Sequence, residues 1–298
     1  MPNPFRSKFV LIFVVFFCPS ANATLKSFDI SFITEGFDTS NALGLAIDPL
    51  TSDVYMTTLS YNGADNLWRM DANGQLLESS RVNVDLGPFG AISSADFTND
   101  GNLVVLGTQS RFPDPADRFV VTLSTDGQTE YSRFQTDQYF GGTSGIAFNP
   151  FDESIILSTG RVGVQSVFRE VAKDGTLIDS LFNDPALLPN DIAFDAASGN
   201  LFATRENKPL LDEYRRDENG YTIVRSYDLT DAGLSRRPLA LGIAPSNGLF
   251  YVQDNNQRIV SFNTSDLAII AVSAPATWGF ILVCLVFIMI RRKGNMNQ

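Results

Sequence analysis

Apolar residues along this chain fall into short blocks that come in pairs, each pair joined by a polar turn. Residues 44–56 read GLAIDPLTSDVYM, and the same figure returns as SADFTNDGNLVVL at 94–106 and GIAFNPFDESIIL at 145–157. It returns again as DIAFDAASGNLFA at 191–203 and LGIAPSNGLFYV at 241–252. Aligned on Ile47, Phe97, Phe148, Phe194 and Ile243, the units are separated by 50, 51, 46 and 49 residues. Blocks this short, rich in β-branched and aromatic residues and closed by Gly, Pro and Asx, predict strands. A period near 49 is too long for a helical or leucine-rich solenoid and fits one four-stranded propeller blade.

The rest of each unit supplies the other strands. Residues 66–70 and 75–79 flank Asn73-Gly74, and Asp126-Gly127, Asp174-Gly175 and Asn219-Gly220 sit in equivalent places. Such dipeptides between apolar runs predict tight hairpins. The last unit has a third strand at 258–262 but no fourth, and the unpaired stretch 27–33 is expected to supply it, with Phe28 to Ile33 lying beside Arg258 to Phe262. That pairing would close the ring and remove an exposed sheet edge. The expected fold is therefore all-β, a single β-propeller over residues 24–266, with five repeats counted and a sixth, degenerate one as the alternative.

The two ends have a different pattern. Residues 1–23 begin with Arg6 and Lys8, continue through an apolar run and end with Ala21 and Ala23 at small-x-small spacing, which reads as a signal peptide. Residues 267–290 carry no charge and are followed by Arg291, Arg292 and Lys293. As a helix this segment would be about 36 Å long, enough to span a bilayer, and the basic triplet would hold its end in the cytoplasm. Residues 267–298 thus read as a transmembrane helix with a basic tail, and the propeller as exported and anchored. Cys18 and Cys284, the only cysteines, both lie in these end segments, so the mature propeller has no internal disulfide.

Composition narrows the function. The 298 residues include no histidine, which removes His-based acid–base catalysis and the usual His-dependent nucleophile and zinc sites. Without the five basic residues of the two end segments, 17 basic residues face 33 acidic ones, a net charge of −16 that disfavours nucleic acid as a partner.

Two resemblances follow from these motifs. Ser273-Ala274-Pro275, the apolar helix and the terminal Arg291-Arg292-Lys293 resemble the PEP-CTERM sorting signal, in a variant with Ser-Ala-Pro in place of Pro-Glu-Pro. The resemblance implies processing at the inner membrane by an exosortase-type enzyme, delivery to the cell surface or matrix, and an association with extracellular polysaccharide. The repeated Gly-Ile/Leu-Ala-hydrophobic-Asx-Pro pattern resembles the NHL, gluconolactonase and strictosidine-synthase-like propellers, whose members are commonly six-bladed.

A rigid propeller aims its loops, so the long second-to-third-strand loops and blade links at 58–66, 107–118, 159–165, 205–210 and 254–257 are the expected binding face. Arg111, Asp114, Arg161, Arg205, Glu206 and Asn207 are the candidate ligand contacts there, since guanidinium forks and amides suit sugar hydroxyls and uronate carboxylates. Trp68 is expected to pack between blades rather than to carry a sugar. The function expected is non-catalytic binding or scaffolding without a cofactor. The alternative is a Ca²⁺-dependent lactonase or hydrolase of the gluconolactonase type, for which the resemblance assigns Glu35, Asn190 and Asp191 to the metal.

Overall fold

The computed structural model describes residues 26–29, 44–58, 65–84, 91–108, 118–136, 143–159, 167–182, 189–205, 207–218, 220–234, 237–254 and 258–270. The expected signal peptide at 1–23 and residues 271–298 lie outside them. Strand β1 (Lys26–Asp29) stands first, followed by blade one: β2 (Leu45–Ile47), β3 (Val54–Thr58), β4 (Asp65–Met70) and β5 (Leu76–Val84). Blade two is β6 (Ala91–Phe97), β7 (Leu103–Thr108), β8 (Arg118–Leu123) and β9 (Glu130–Gln135); blade three is β10 (Thr143–Asn149), β11 (Ser154–Thr159), β12 (Val167–Val171) and β13 (Leu177–Phe182). Blade four is β14 (Pro189–Asp195), β15 (Asn200–Arg205), β16 (Leu210–Asp217) and β17 (Gly220–Asp228). Blade five is β18 (Pro238–Ile243), β19 (Phe250–Asp254) and β20 (Arg258–Phe262), and β21 (Ile269–Ile270) ends the described chain. Apart from β1, which lies beside β20, and β21, which lies beside β17, each sheet is an antiparallel meander in chain order, so the described residues form five blades.

The ring closes as expected. β1 pairs antiparallel with β20, with Lys26 opposite Ser261 and Asp29 opposite Arg258. The pairing starts two residues earlier than the hydrophobic pattern suggests, and residues 30–33 lie outside the described part. At the other end the propeller runs further than expected. Leu267 is buried in the core between blades four and five, and β21 pairs with Ser226 and Tyr227 of β17. Residues 267–270 therefore belong to blade four, because a short apolar strand and the head of an apolar helix look alike in hydropathy.

Apolar side chains pack in five slots, one between each pair of neighbouring blades. A single strand feeds two slots: Leu103 and Val105 of β7 face blade one, while Val104 and Leu106 face blade three. Burial on both faces explains why the strands read as unbroken apolar runs rather than alternating ones. Trp68 packs against the slot between blades one and five, as its place in the strand suggested. The hairpins also form where expected, with Gly127 and Gly175 at φ 73° and 86°, a left-handed backbone that suits glycine.

Five blades make a narrow ring, and the inner strands meet three residues before each aligned apolar position, at Gly44, Ser94, Gly145, Asp191 and Ala240. A Cβ added to Gly44 would lie 2.6 Å from the Cα of Ser94, and one on Gly145 would lie 2.8 Å from Asp191 Oδ1 and 2.9 Å from the Ile192 nitrogen. Gly145→Ala should therefore destabilise the propeller by roughly 1–3 kcal/mol, the usual cost of overpacking, measured by chemical denaturation. Gly233→Ala meets no neighbour within 4 Å and tests the backbone cost alone, since Gly233 has φ 76°.

Candidate functional site

At the narrowest level of the axis stands Asp191, fully buried at the start of β14. Its Oδ1 accepts from the Ser94 hydroxyl (2.9 Å) and the Ile192 N–H (3.0 Å), and its Oδ2 from the Leu241 N–H (2.9 Å). Ser94 Oγ in turn accepts from the Ile146 N–H at 3.2 Å. One carboxyl and one hydroxyl thus join the inner strands of blades two, three, four and five. Burial pushes the Asp191 carboxyl well above the ordinary range; the Leu241, Ser94 and Ile192 donors pull it back, and the charge of Asp96 adds to the rise.

The axis opens toward the short turns into a cavity of about 60 Å³. Its wall is the set of residues on which the repeats align: Ile47, Phe97, Phe148, Phe194 and Ile243, one from each blade. Pro49, Pro150 and Pro245 surround them, each following the residue that begins a tight turn. Asx turns build this rim: Asp48 accepts from the Leu50 N–H at 2.8 Å, and Asp195 from the Ala197 N–H at 3.0 Å. Hydrogen bonds between neighbouring turns hold it, Asn99 Nδ2 to the Pro150 carbonyl (3.1 Å) and Ser52 Oγ with Ser246 Oγ (2.9 Å).

One wall residue is ionisable. Asp96 Oδ1 accepts from the Phe97 N–H at 2.8 Å and Oδ2 from the Phe148 N–H at 2.7 Å. The side chain is half-buried, and its partial withdrawal from water pushes the carboxyl up to about 7 against these two donors. Sequence reasoning did not single it out, although a signal was there. The position before the aligned apolar residue is Ala46, Ala147, Ala193 or Gly242 in four repeats and Asp96 in the other.

The expected site residues are placed as follows. Glu35, Arg111, Asp114, Arg161 and Glu206 lie outside the described residues, as do Ser273, Ala274, Pro275, Arg291, Arg292 and Lys293. Arg205 forms a two-pronged ion pair with Asp212, which is buried and also accepts from the Ser226 hydroxyl. Its fork therefore joins β15 to β16. Asn207 is exposed on the turn after β15. Asn190 and Asp191 are adjacent in sequence but have separate surroundings. Asn190 Nδ2 donates to the carbonyls of Pro238 (2.6 Å) and Leu239 (3.2 Å), and its Oδ1 accepts from Arg237, so it joins blade four to blade five. Among the described residues no three His, Cys, Asp or Glu side chains gather in the way a metal site requires.

Among the described residues the strand order defines a five-bladed β-propeller. The chain matches no family model and no curated protein sequence. Among solved structures it is similar to a gluconolactonase from Xanthomonas campestris, at 13% identity over 81% of this chain and 89% of that one, with a TM-score of 0.48. It is also similar to a chain of the nidogen/laminin complex, at 16% identity over 79% and 81%, with a TM-score of 0.47. A protein of unknown function from Bacteroides caccae matches at 15% identity over 71% and 69%, with a TM-score of 0.46. All three likenesses are distant, and the propeller assignment stands on this chain's own strand pairing.

A carboxyl that titrates near 7 when folded and at 3.8 ordinarily contributes most to stability below about pH 4, and that contribution is lost as pH rises through about 7. Asp96→Asn has no such titration. Its melting temperature relative to the native chain should therefore rise between about pH 4 and pH 8, whatever constant offset the substitution adds; a difference that stays flat with pH would contradict the assignment.

Proposed function

We propose that this chain is an exported, non-catalytic binding propeller of the cell envelope or extracellular matrix. The observation that carries the reading is the state of the axis. The polar atoms of Asp191, Ser94 and Asn190 are taken up by hydrogen bonds between blades, and so do structural work where a propeller hydrolase needs free ligands and an acid–base pair. The open part of the axis has an apolar wall with a single carboxyl, which suits contact with a ligand better than turnover of one. The end segments support export through the signal peptide and sorting by an exosortase-type enzyme at the inner membrane, with extracellular polysaccharide as the surrounding polymer.

The competing reading is a Ca²⁺-dependent lactonase, and the two predict different melting curves. Calcium at a hundredfold excess over its dissociation constant would stabilise a protein that binds it by about 2.7 kcal/mol. We expect the same melting temperature in Ca²⁺ and in chelator, and no lactone hydrolysis above buffer. A Ca²⁺-dependent rise accompanied by hydrolysis would establish the enzyme.

Anchoring is tested separately by a chain ending at Ile270, which keeps β21 and all five blades. It should be recovered in the soluble fraction while the full chain sediments with membranes. If the shortened chain still sedimented, the C-terminal segment would not be the anchor.

A further inference from the structure

We infer, building on the binding role above, that the mouth on the short-turn face takes an ammonium group carried on an apolar stem, with Asp96 as its counter-ion. The repeat does not call for an acid at this position, since four of five repeats build the same strand with alanine or glycine; Asp96 ties blade two to blade three through the Phe148 N–H and also faces the cavity. Asp96 is half-buried, and two backbone N–H donors offset only part of the cost of drawing its carboxylate back from bulk water. Each Asp96 oxygen accepts one of these and retains a lone pair for a further donor.

The surroundings select the sign of the ligand. The lining contains no lysine or arginine. Lys173 Nζ lies 5.6 Å from the centre of the Phe148 ring but is paired with Glu153 at 2.9 Å. The next acid along the axis is Asp191, and the rim acids Asp48, Asp100 and Asp195 accept hydrogen bonds within their own turns. An anion in the cavity would therefore meet the Asp96 carboxylate, with the one nearby ammonium, Lys173, already paired. The aromatic lining of Phe97, Phe148 and Phe194 is of a kind that favours an organic cation. A divalent metal is a poor match, because it needs six or more oxygen ligands and the wall offers one carboxylate.

Size and shape select the rest. About 60 Å³ admits a compact ammonium and a few methylenes. On the turns above stand two large apolar side chains that face solvent, Leu50 at 71% and Phe151 at 66% exposure, and Phe151 meets Phe194 of the wall edge to face at 6.0 Å. Neither lines the cavity itself, but Phe151 continues its wall outward from Phe194 and offers a stem a surface to lie along. The hydrogen bonds between turns keep this mouth formed before any ligand arrives, which lowers the ordering cost of binding.

The test is a calorimetric titration of the full chain with n-hexylammonium chloride, and with 1-hexanol and sodium hexanoate as matched probes, near pH 8. The native chain should bind the ammonium at least about tenfold more tightly than the alcohol, the worth of one charge-assisted hydrogen bond, and should not bind the carboxylate. Asp96→Asn should lose that preference while retaining the affinity for hexanol. Asp96→Ala, which places the common residue of the repeats there, should do the same. If either variant fails to fold, the ammonium-to-alcohol ratio of the native chain decides alone. Equal affinity for ammonium and alcohol, no binding of any probe, or a preference that survives Asp96→Asn would overturn this inference and leave the non-catalytic reading standing. Lactone turnover would overturn that reading and not the ammonium site.

Discussion

Everything in this molecule is arranged around the close meeting of five inner strands. Strands that approach within van der Waals distance at an axis leave no room for side chains, so the positions that meet are glycine, serine and alanine, with Asp191 as the exception. That exception fills the space which the small residues leave, and it satisfies backbone N–H groups that an apolar plug would orphan. The carboxyl is expensive to bury, and three donors from different parts of the ring make burial tolerable. Removing the carboxyl would take the acceptor from all three donors at once, so the blades are coupled through a single group and not merely packed side by side.

From this constraint follows the division of labour along the axis. Where the strands meet, polar groups face one another and are consumed by the fold. Further along, toward the short turns, the strands diverge by their twist, and the same ring of blades lines a small cavity with one apolar residue from each. Asp191 and Asp96 lie on neighbouring levels of this axis, and burial raises the pKa of both carboxyls, yet the chemistry differs. The first is enclosed by partners from three blades, and the second opens on a cavity.

Much of this was legible before any coordinates. The repeat length, the Asn-Gly and Asp-Gly hairpins and the missing fourth strand of the last unit pointed to a ring closed by the N-terminal segment, because each is a local pattern, while the number of blades stayed open between five and six. What could not be read was which end of the axis matters. Long loops drew attention to one face, while the cavity in the described residues lies on the other, where side chains from positions about 50 residues apart converge. Convergence of that kind is a property of closure. Arg205 shows the same limit: its sequence suggests a free fork near a loop, and only the pairing of β15 with β16 reveals Asp212 beside it. The break from alanine to aspartate at Asp96 was visible, but it gains meaning only once the five equivalent positions are known to share a wall.

The two ends of the described chain enter neighbouring blades, β1 completing blade five and β21 extending blade four. Their hold is unequal. β1 is paired with β20 over four positions and seals the ring, whereas β21 is paired with β17 over two, backed by the buried Leu267 and by the Ala268 N–H donating to Asp231. A pull on the C-terminal end therefore loads the weaker, outermost strand first. β21 can peel from blade four while β17 keeps its full pairing with β16, so the ring and its mouth stay intact under tension. In mechanical terms the last strand is a fuse: it yields before the seam that holds the propeller closed.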